Sequence, residues 1–253
     1  MRILLSNDDG VFAHGLAALY ERLKKIADVT VVAPLEEKST TGHSLTIHKP
    51  LRILKLENGF HGVSGSPADC IYLGIREVLK NKMPDLVVSG INRGANLGQD
   101  VYYSGTVSAA REACILGLRA VAISLDVNYK AKKPEKELHF DTAAQCLVKL
   151  IKKNPLSKMP KHTLLNVNVP DVPMKKIKGF LPASQGFRYY SGSIIKRIDH
   201  RGKPYFWIGG QYKGFHNEIG TDCQIVADRY VSLTPVRLDC TDHGFLNRLL
   251  EEF

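Results

Sequence analysis

Short uninterrupted apolar runs alternate along this chain with longer stretches in which apolar residues recur every third or fourth position. Residues 2–6 form the first run, centred on Ile3-Leu4-Leu5. Leu16, Leu19, Leu23 and Ile26 then share one helical face over residues 15–27, and Val29-Thr30-Val31-Val32-Ala33 is a second run. A run without polar alternation is expected of a strand covered on both faces, so this opening predicts a parallel βαβ unit with the usual right-handed crossover. The order repeats downstream. Strands are expected at 85–90, 120–124, 164–169 and 230–234, with short strands within 45–64. Helices are expected over 66–79, from Tyr103-Ser104-Gly105-Thr106 to about Leu116, over 140–151 and over 243–253, with a short one opening at Thr221-Asp222. Ser66-Pro67-Ala68-Asp69 supplies a capping serine, a proline at the first helical position and an acid in the first turn. Asn154-Pro155 ends the 140–151 helix.

These elements predict an α/β fold, a doubly wound and mainly parallel twisted sheet flanked by helices. Residues 1–253 read as one domain. Between 184 and 220 the composition changes to aromatics, glycines and arginines, as in Tyr189-Tyr190 and Tyr205-Phe206-Trp207-Ile208, which predicts a protruding β-hairpin arm suited to oligomer contacts. A C-terminal segment, 221–253, follows it.

The first strand empties into Ser6-Asn7-Asp8-Asp9-Gly10, two adjacent carboxylates at the C-terminal edge of a sheet, where open α/β folds bind their ligands. Neighbouring carboxylates repel, and a hard divalent cation held by oxygens is the simplest remedy; the same residues are also good turn formers. Two further polar loops, 36–44 and 91–100, are expected on the same edge, bringing Ser39 and Asn92. Carboxylate, hydroxyl and amide oxygens from three strand ends would suit Mg²⁺, Mn²⁺ or Ca²⁺ and not structural zinc. Ser104-Gly105-Thr106 at a helix start offers free N–H groups, hydroxyls and a positive dipole end, either an anion seat or an ordinary cap. Gly42 and His43, on the Ser39 loop, are candidate substrate contacts, and Arg93 is a candidate phosphate clamp. Gly10 and Gly15 have Walker A spacing, but Leu16-Ala17 stand where Lys-Ser or Lys-Thr is needed; no GxGxxG follows a predicted strand, and HExxH and GxSxG are absent.

Thirty-five Lys and Arg against 25 Asp and Glu give a formal charge of +10 and an attraction to anions that nucleotides, polyphosphate or nucleic acid would satisfy. A non-catalytic nucleotide or nucleic-acid binding protein is therefore the second reading. The five cysteines form no CxxC pair, so reduced thiols are expected. No run of about eighteen apolar residues and no leader pattern occurs, which predicts a cytoplasmic protein without a membrane partner.

Several blocks together resemble the SurE survival proteins, metal-dependent 5'/3'-nucleotidases: Ile3 to Gly10, Ser39 to Thr46, Gly65 to Cys70, Ser89 to Gly98 and Tyr103 to Val107, with Arg197-Ile198-Asp199, Tyr205 to Gly209, Thr221-Asp222 and Tyr230 to Pro235 similar to the family's later segments. The resemblance implies a Rossmann-like core and a homodimer or homotetramer contacting through the arm and C-terminal segment. It implies that Asp8, Asp9, Ser39 and Asn92 ligate one divalent metal ion per subunit, Mg²⁺ or Mn²⁺, with Asp8 and Asp9 also catalytic. Asn96, Ser104, Gly105 and Thr106 would hold the phosphate of a nucleoside 5'- or 3'-monophosphate, short polyphosphate would be trimmed, and no specific nucleic acid is expected as partner. Lys38 and Thr40 depart from the family pattern, where arginine and glycine are common.

Overall fold

The computed structural model describes residues 1–253. The chain opens with β1 (Arg2–Ser6), α1 (His14–Leu23) and β2 (Asp28–Pro34), then passes through β3 (Ile53–Lys55) and β4 (His61–Val63) to α2 (Pro67–Leu73). β5 (Leu86–Arg93), α3 (Gly105–Ile115), β6 (Ala120–Asp126), α4 (Phe140–Lys153) and β7 (Thr163–Pro170) continue the alternation, and β8 (Phe180–Pro182) follows. Four arm strands come next: β9 (Arg188–Tyr190), β10 (Ser193–Ile198), β11 (Pro204–Gly209) and β12 (Tyr212–Phe215). α5 (Asp222–Ala227), β13 (Val231–Arg237) and α6 (His243–Glu252) close the chain.

Nine strands form one sheet in the order β3-β4-β2-β1-β5-β6-β7-β13-β8. The pairs from β4 through β2, β1, β5 and β6 to β7 are parallel, and antiparallel pairs enter only at β3–β4 and β7–β13. The mainly parallel α/β fold expected from the apolar runs is thus what the chain adopts. Successive side chains of β1 enter opposite layers, as a period of two requires. Ile3 and Leu5 pack with Leu16, Leu19 and Leu147 under α1 and α4, while Leu4 packs with Val32, Ile71 and Val107 under α2 and α3. Fully burying each such side chain contributes ~1.5–3 kcal/mol, in keeping with a strand whose only polar residue before Ser6 is the exposed Arg2 at its start.

The connections decide where a ligand can sit. From β1 the chain crosses to β2 on one side, whereas from β5 it crosses to β6 on the other, so the direction of winding reverses between β1 and β5. The helices leave a crevice outside the C-terminal ends of two such strands, the usual ligand position in open α/β sheets.

Several boundaries differ from the periodicity. α1 ends at Leu23, and Ile26 reaches the core from a turn that donates to the Leu23 carbonyl. The 66–79 helix is α-helical only to Leu73 and widens over Gly74–Val78, with Leu79 N–H donating to the Gly74 carbonyl. There Gly74 lies against Leu4 and Val32, at a spacing that a Cβ would bring to 3.2 Å from Leu4. β5 runs on to Arg93 through an irregularity between Gly90 and Asn92, so Asn92 stands on the strand and not in the loop after it. Within 45–52 no strand forms. The arm is the expected hairpin, its two legs pairing first as β9 with β12 at the root and then as β10 with β11 toward the tip, with Ser191 N–H donating to the Gln211 carbonyl between the two segments. Both outer strands are exposed along their length, with Ile208 93% accessible. No helix is long and apolar enough to cross a membrane.

Candidate active site

The turn after β1 is held from three directions. Asn7 donates its side-chain N–H to the Gly10 carbonyl at 2.8 Å, Val11 N–H donates to Pro34 at the end of β2, and Lys38 N–H donates to the Asp8 carbonyl at 2.8 Å. Gly10 has φ +102°, a conformation that a side chain would strain. The turn therefore presents Asp8 and Asp9 in a fixed attitude at the reversal between β1 and β5.

Asp8 is only 4% exposed and meets the first turn of α3, where the Thr106 hydroxyl donates to its Oδ1. Gly105 makes that approach possible, because a Cβ there would lie 2.7 Å from the Asp8 Cβ. Asp9, half-buried, accepts from Arg93 N–H at the end of β5 at 3.1 Å. Neither carboxylate is in an ion pair. Burial raises the Asp8 carboxyl above its ordinary range, and burial together with the neighbouring Asp8 charge pushes Asp9 up to about 7. The buried Asn7 amide oxygen has no hydrogen-bond partner either. Two desolvated, mutually repelling carboxylates with only neutral donors suit a bound cation, and hard oxygen ligands suit Mg²⁺ or Mn²⁺. No three His, Cys, Asp or Glu side chains converge anywhere in the chain, so neutral oxygens would have to complete the ligand set.

Asn92 and Ser39 are the sequence-expected donors of such oxygens. The Asn92 amide N–H donates to the Gly94 carbonyl at 2.8 Å, fixing the amide and leaving its oxygen as an acceptor. Ser39 is exposed and its hydroxyl donates to Glu37 at 2.6 Å, one residue beyond the Lys38 bond to Asp8. Asn96 is buried in a polar network: its side-chain N–H donates to Ser124, its backbone N–H donates to Asn168, and its carbonyl accepts from Asn166 and Asn168. At the start of α3 the Ser104 hydroxyl accepts from Val107 N–H as an N-cap, and the first-turn N–H groups of Gly105 and Thr106 have no partner within the helix. Ser104 is thus an ordinary cap, and the cap leaves the Gly105 and Thr106 N–H groups uncommitted within the helix.

A family model described as "Survival protein SurE" matches residues 3–192. The chain belongs to the SurE family. It is 44% identical to "5'-nucleotidase SurE" of Pelobacter propionicus over 96% of both chains, and 46% identical to the protein of the same name from Geotalea daltonii, again over 96% of each. Among solved structures it is similar to the SurE protein from Aquifex aeolicus, with a TM-score of 0.85 and 42% identity, covering 100% of this chain and 99% of that one. The resemblance carried by the Ile3 to Gly10 and Ser89 to Gly98 blocks is therefore borne out at the level of family and fold.

Within this SurE fold, the loop 36–44 does not lie free. Gly42 N–H donates to the Tyr103 carbonyl at 3.2 Å, and His43 Nε2 pairs with Glu112 Oε2 at 2.8 Å. Beyond them Ser44 accepts from the Ser66 hydroxyl, and Thr46 is bound through backbone and side chain to Asp69, whose capping box with Ser66 starts α2. Glu112, Ser124, Asn166 and Asn168 were not among the residues singled out in the sequence. Their only signal was polarity at positions of an otherwise apolar strand or helix face, which does not say what they touch. Arg93 sends its backbone to Asp9 while its exposed guanidinium lies 6.0 Å from the Tyr129 ring centroid.

Proposed function

We propose that this SurE-family chain is a divalent-metal-dependent phosphatase that hydrolyses nucleoside 5'- and 3'-monophosphates to nucleoside and phosphate, with short polyphosphate as a further substrate. The observation that carries this reading is the pair of buried Asp8, set against the N-terminus of α3, and half-buried Asp9, which together lack a counter-charge at the sheet's reversal point. Asp8, Asp9, Ser39 and Asn92 would hold one Mg²⁺ or Mn²⁺ per subunit. When bound, the ion supplies Lewis-acid polarisation of the phosphoryl oxygens.

The chain's own groups do the rest. The first-turn N–H groups of Gly105 and Thr106, unpartnered within the helix, and the positive end of α3 bind the phosphoryl oxygens as charge gathers on them. Thr106, by donating to Asp8, keeps that carboxylate from swinging toward the phosphate. Asp9 has one oxygen engaged by Arg93 N–H and the other available to orient a water for in-line attack. Water adds to phosphorus, the ester P–O bond breaks, and the proton lost by the water ends on the leaving nucleoside oxygen. Asn96, locked by Ser124 and Asn168, positions the loop between β5 and α3 and so the seat itself.

The exposed apolar side chains of β10 and β11 support a homodimer or homotetramer formed through the arm at 184–220 of a single 1–253 domain, whose C-terminal segment 221–253 contributes β13 to the central sheet; a cytoplasmic location is part of the same reading. Phosphate release from a panel of nucleoside monophosphates and polyphosphate, with Mg²⁺, Mn²⁺ or chelator, tests the activity. Metal-dependent release that Asp8→Asn abolishes is expected. Salt-dependent nucleic-acid binding without any phosphate release would overturn the reading.

A further inference from the structure

His43 was expected to touch substrate, but its ring faces α3. The bonds on either side of Ser39 show why this matters. Lys38 N–H fixes the near end of the loop to the Asp8 carbonyl at 2.8 Å, and Gly42 N–H fixes the far end to Tyr103 at 3.2 Å. Only Ser39, Thr40 and Thr41 span the interval, with Thr40 and Gly42 both in left-handed conformation and the Thr41 hydroxyl returned to the Lys38 carbonyl. Immediately past the far end, His43 Nε2 meets Glu112 Oε2 at 2.8 Å. Glu112 is 3% exposed on α3, and His43 is its only side-chain partner.

The helix that receives His43 is the helix whose first turn receives Asp8 through Thr106. One rigid element therefore sets the reference for both the carboxylate pair and the distal end of the Ser39 loop. A buried carboxylate is costly to leave without a donor, which makes the His43 contact the one the loop cannot readily exchange.

We propose that His43 and Glu112 are positioning residues that brace the Ser39 loop against α3 and thereby set the distance from the Ser39 hydroxyl to Asp8 and Asp9. This rests on the metal site proposed above and assigns His43 away from the substrate. A brace acts through Ser39, so its removal weakens the metal and not the nucleotide contact as such, and it has little left to do once Ser39 is gone.

The test measures Mn²⁺ affinity without substrate, kcat and KM for a nucleoside monophosphate, and the melting temperature, for wild type, His43→Ala, His43→Gln, Glu112→Ala, Glu112→Gln, Ser39→Ala and the double variant Ser39→Ala with His43→Ala. His43→Ala and Glu112→Ala are expected to weaken Mn²⁺ about tenfold, the usual scale for residues that orient metal ligands. Glu112→Gln and His43→Gln each keep one partner for the bond and are expected to retain most of the affinity, which also serves should the alanine variants fail to fold. In the double variant the loss should equal that of Ser39→Ala alone, because coupled residues are non-additive. A raised KM with unchanged Mn²⁺ affinity would instead make His43 a substrate contact, and a lower melting temperature with neither change would make the pair purely structural; either overturns the brace. Wild-type protein that bound no Mn²⁺ would overturn the proposed function itself, whereas wild-type binding untouched by these variants sinks only the brace.

Discussion

Thr106 donates its hydroxyl to Asp8, joining the first turn of α3 to the end of β1 across the point where the sheet reverses its winding. The two residues are 98 apart in the chain, and both are buried. Thr106→Val keeps the shape and removes the donor, leaving a buried carboxylate oxygen unsatisfied. A loss of ~1–3 kcal/mol in stability is expected, together with a fall in kcat/KM of roughly tenfold or more because the carboxylate loses its orientation. Thermal unfolding and steady-state phosphate release measure the two; unchanged kinetics would remove Thr106 from the site.

Gly105 is expected to tolerate no side chain. A Cβ would stand 2.7 Å from the Asp8 Cβ, which has no room to retreat because the turn is bound to Pro34 and Lys38. Gly105→Ala should cost ~1–3 kcal/mol, the usual penalty of overpacking, and abolish most activity. A variant with wild-type melting and turnover would show that Asp8 can move freely.

The metal-free protein should lose stability as pH rises from about 4 to about 7. Asp9 has its folded value pushed up to about 7 from an ordinary 3.8, so in that window the folded state holds a proton that the unfolded state has released. With more protons bound when folded, stability falls with rising pH, by at most about 1.4 kcal/mol per unit for a single group, and levels off above 7. Denaturant titrations across pH 4–8 in chelator measure it. Asp9→Asn should flatten the slope, and saturating Mn²⁺ should reverse it, since binding expels that proton.

Trp207 and Ile208 lie on exposed strands with no intramolecular partner layer. Trp207→Asp should leave the melting of the isolated subunit within ~0.5 kcal/mol, as for surface positions generally, while lowering the assembled mass in light scattering. An unchanged mass would move the contact elsewhere. By contrast Leu4→Ala, in the layer under α2 and α3, should cost ~2–5 kcal/mol through the cavity it leaves and show no selective effect on KM.

Much of this protein follows from the order of its residues alone, and the rest does not, for one physical reason. Features set by neighbours within a few positions were legible: the two-faced burial of Ile3-Leu4-Leu5, the capping box of Ser66 and Asp69, the carboxylates delivered where β1 stops, and the helix start at Ser104. Each depends on strand or helix period, or on a cap that closes over three residues. What only the folded chain decided are pairings across long separations. His43 meets Glu112, Thr106 meets Asp8, and Asn96 is caged by Ser124, Asn166 and Asn168, because β5, β6 and β7 lie side by side and bring their polar positions to one buried layer. A serine or asparagine in an apolar run announces that it needs a partner, but the partner is chosen by which strands become neighbours. The resemblance to the SurE family marked Asp8, Asp9, Ser39 and Asn92. That Asp8 leans on α3, and that His43 turns from the open crevice toward the same helix, came from packing alone.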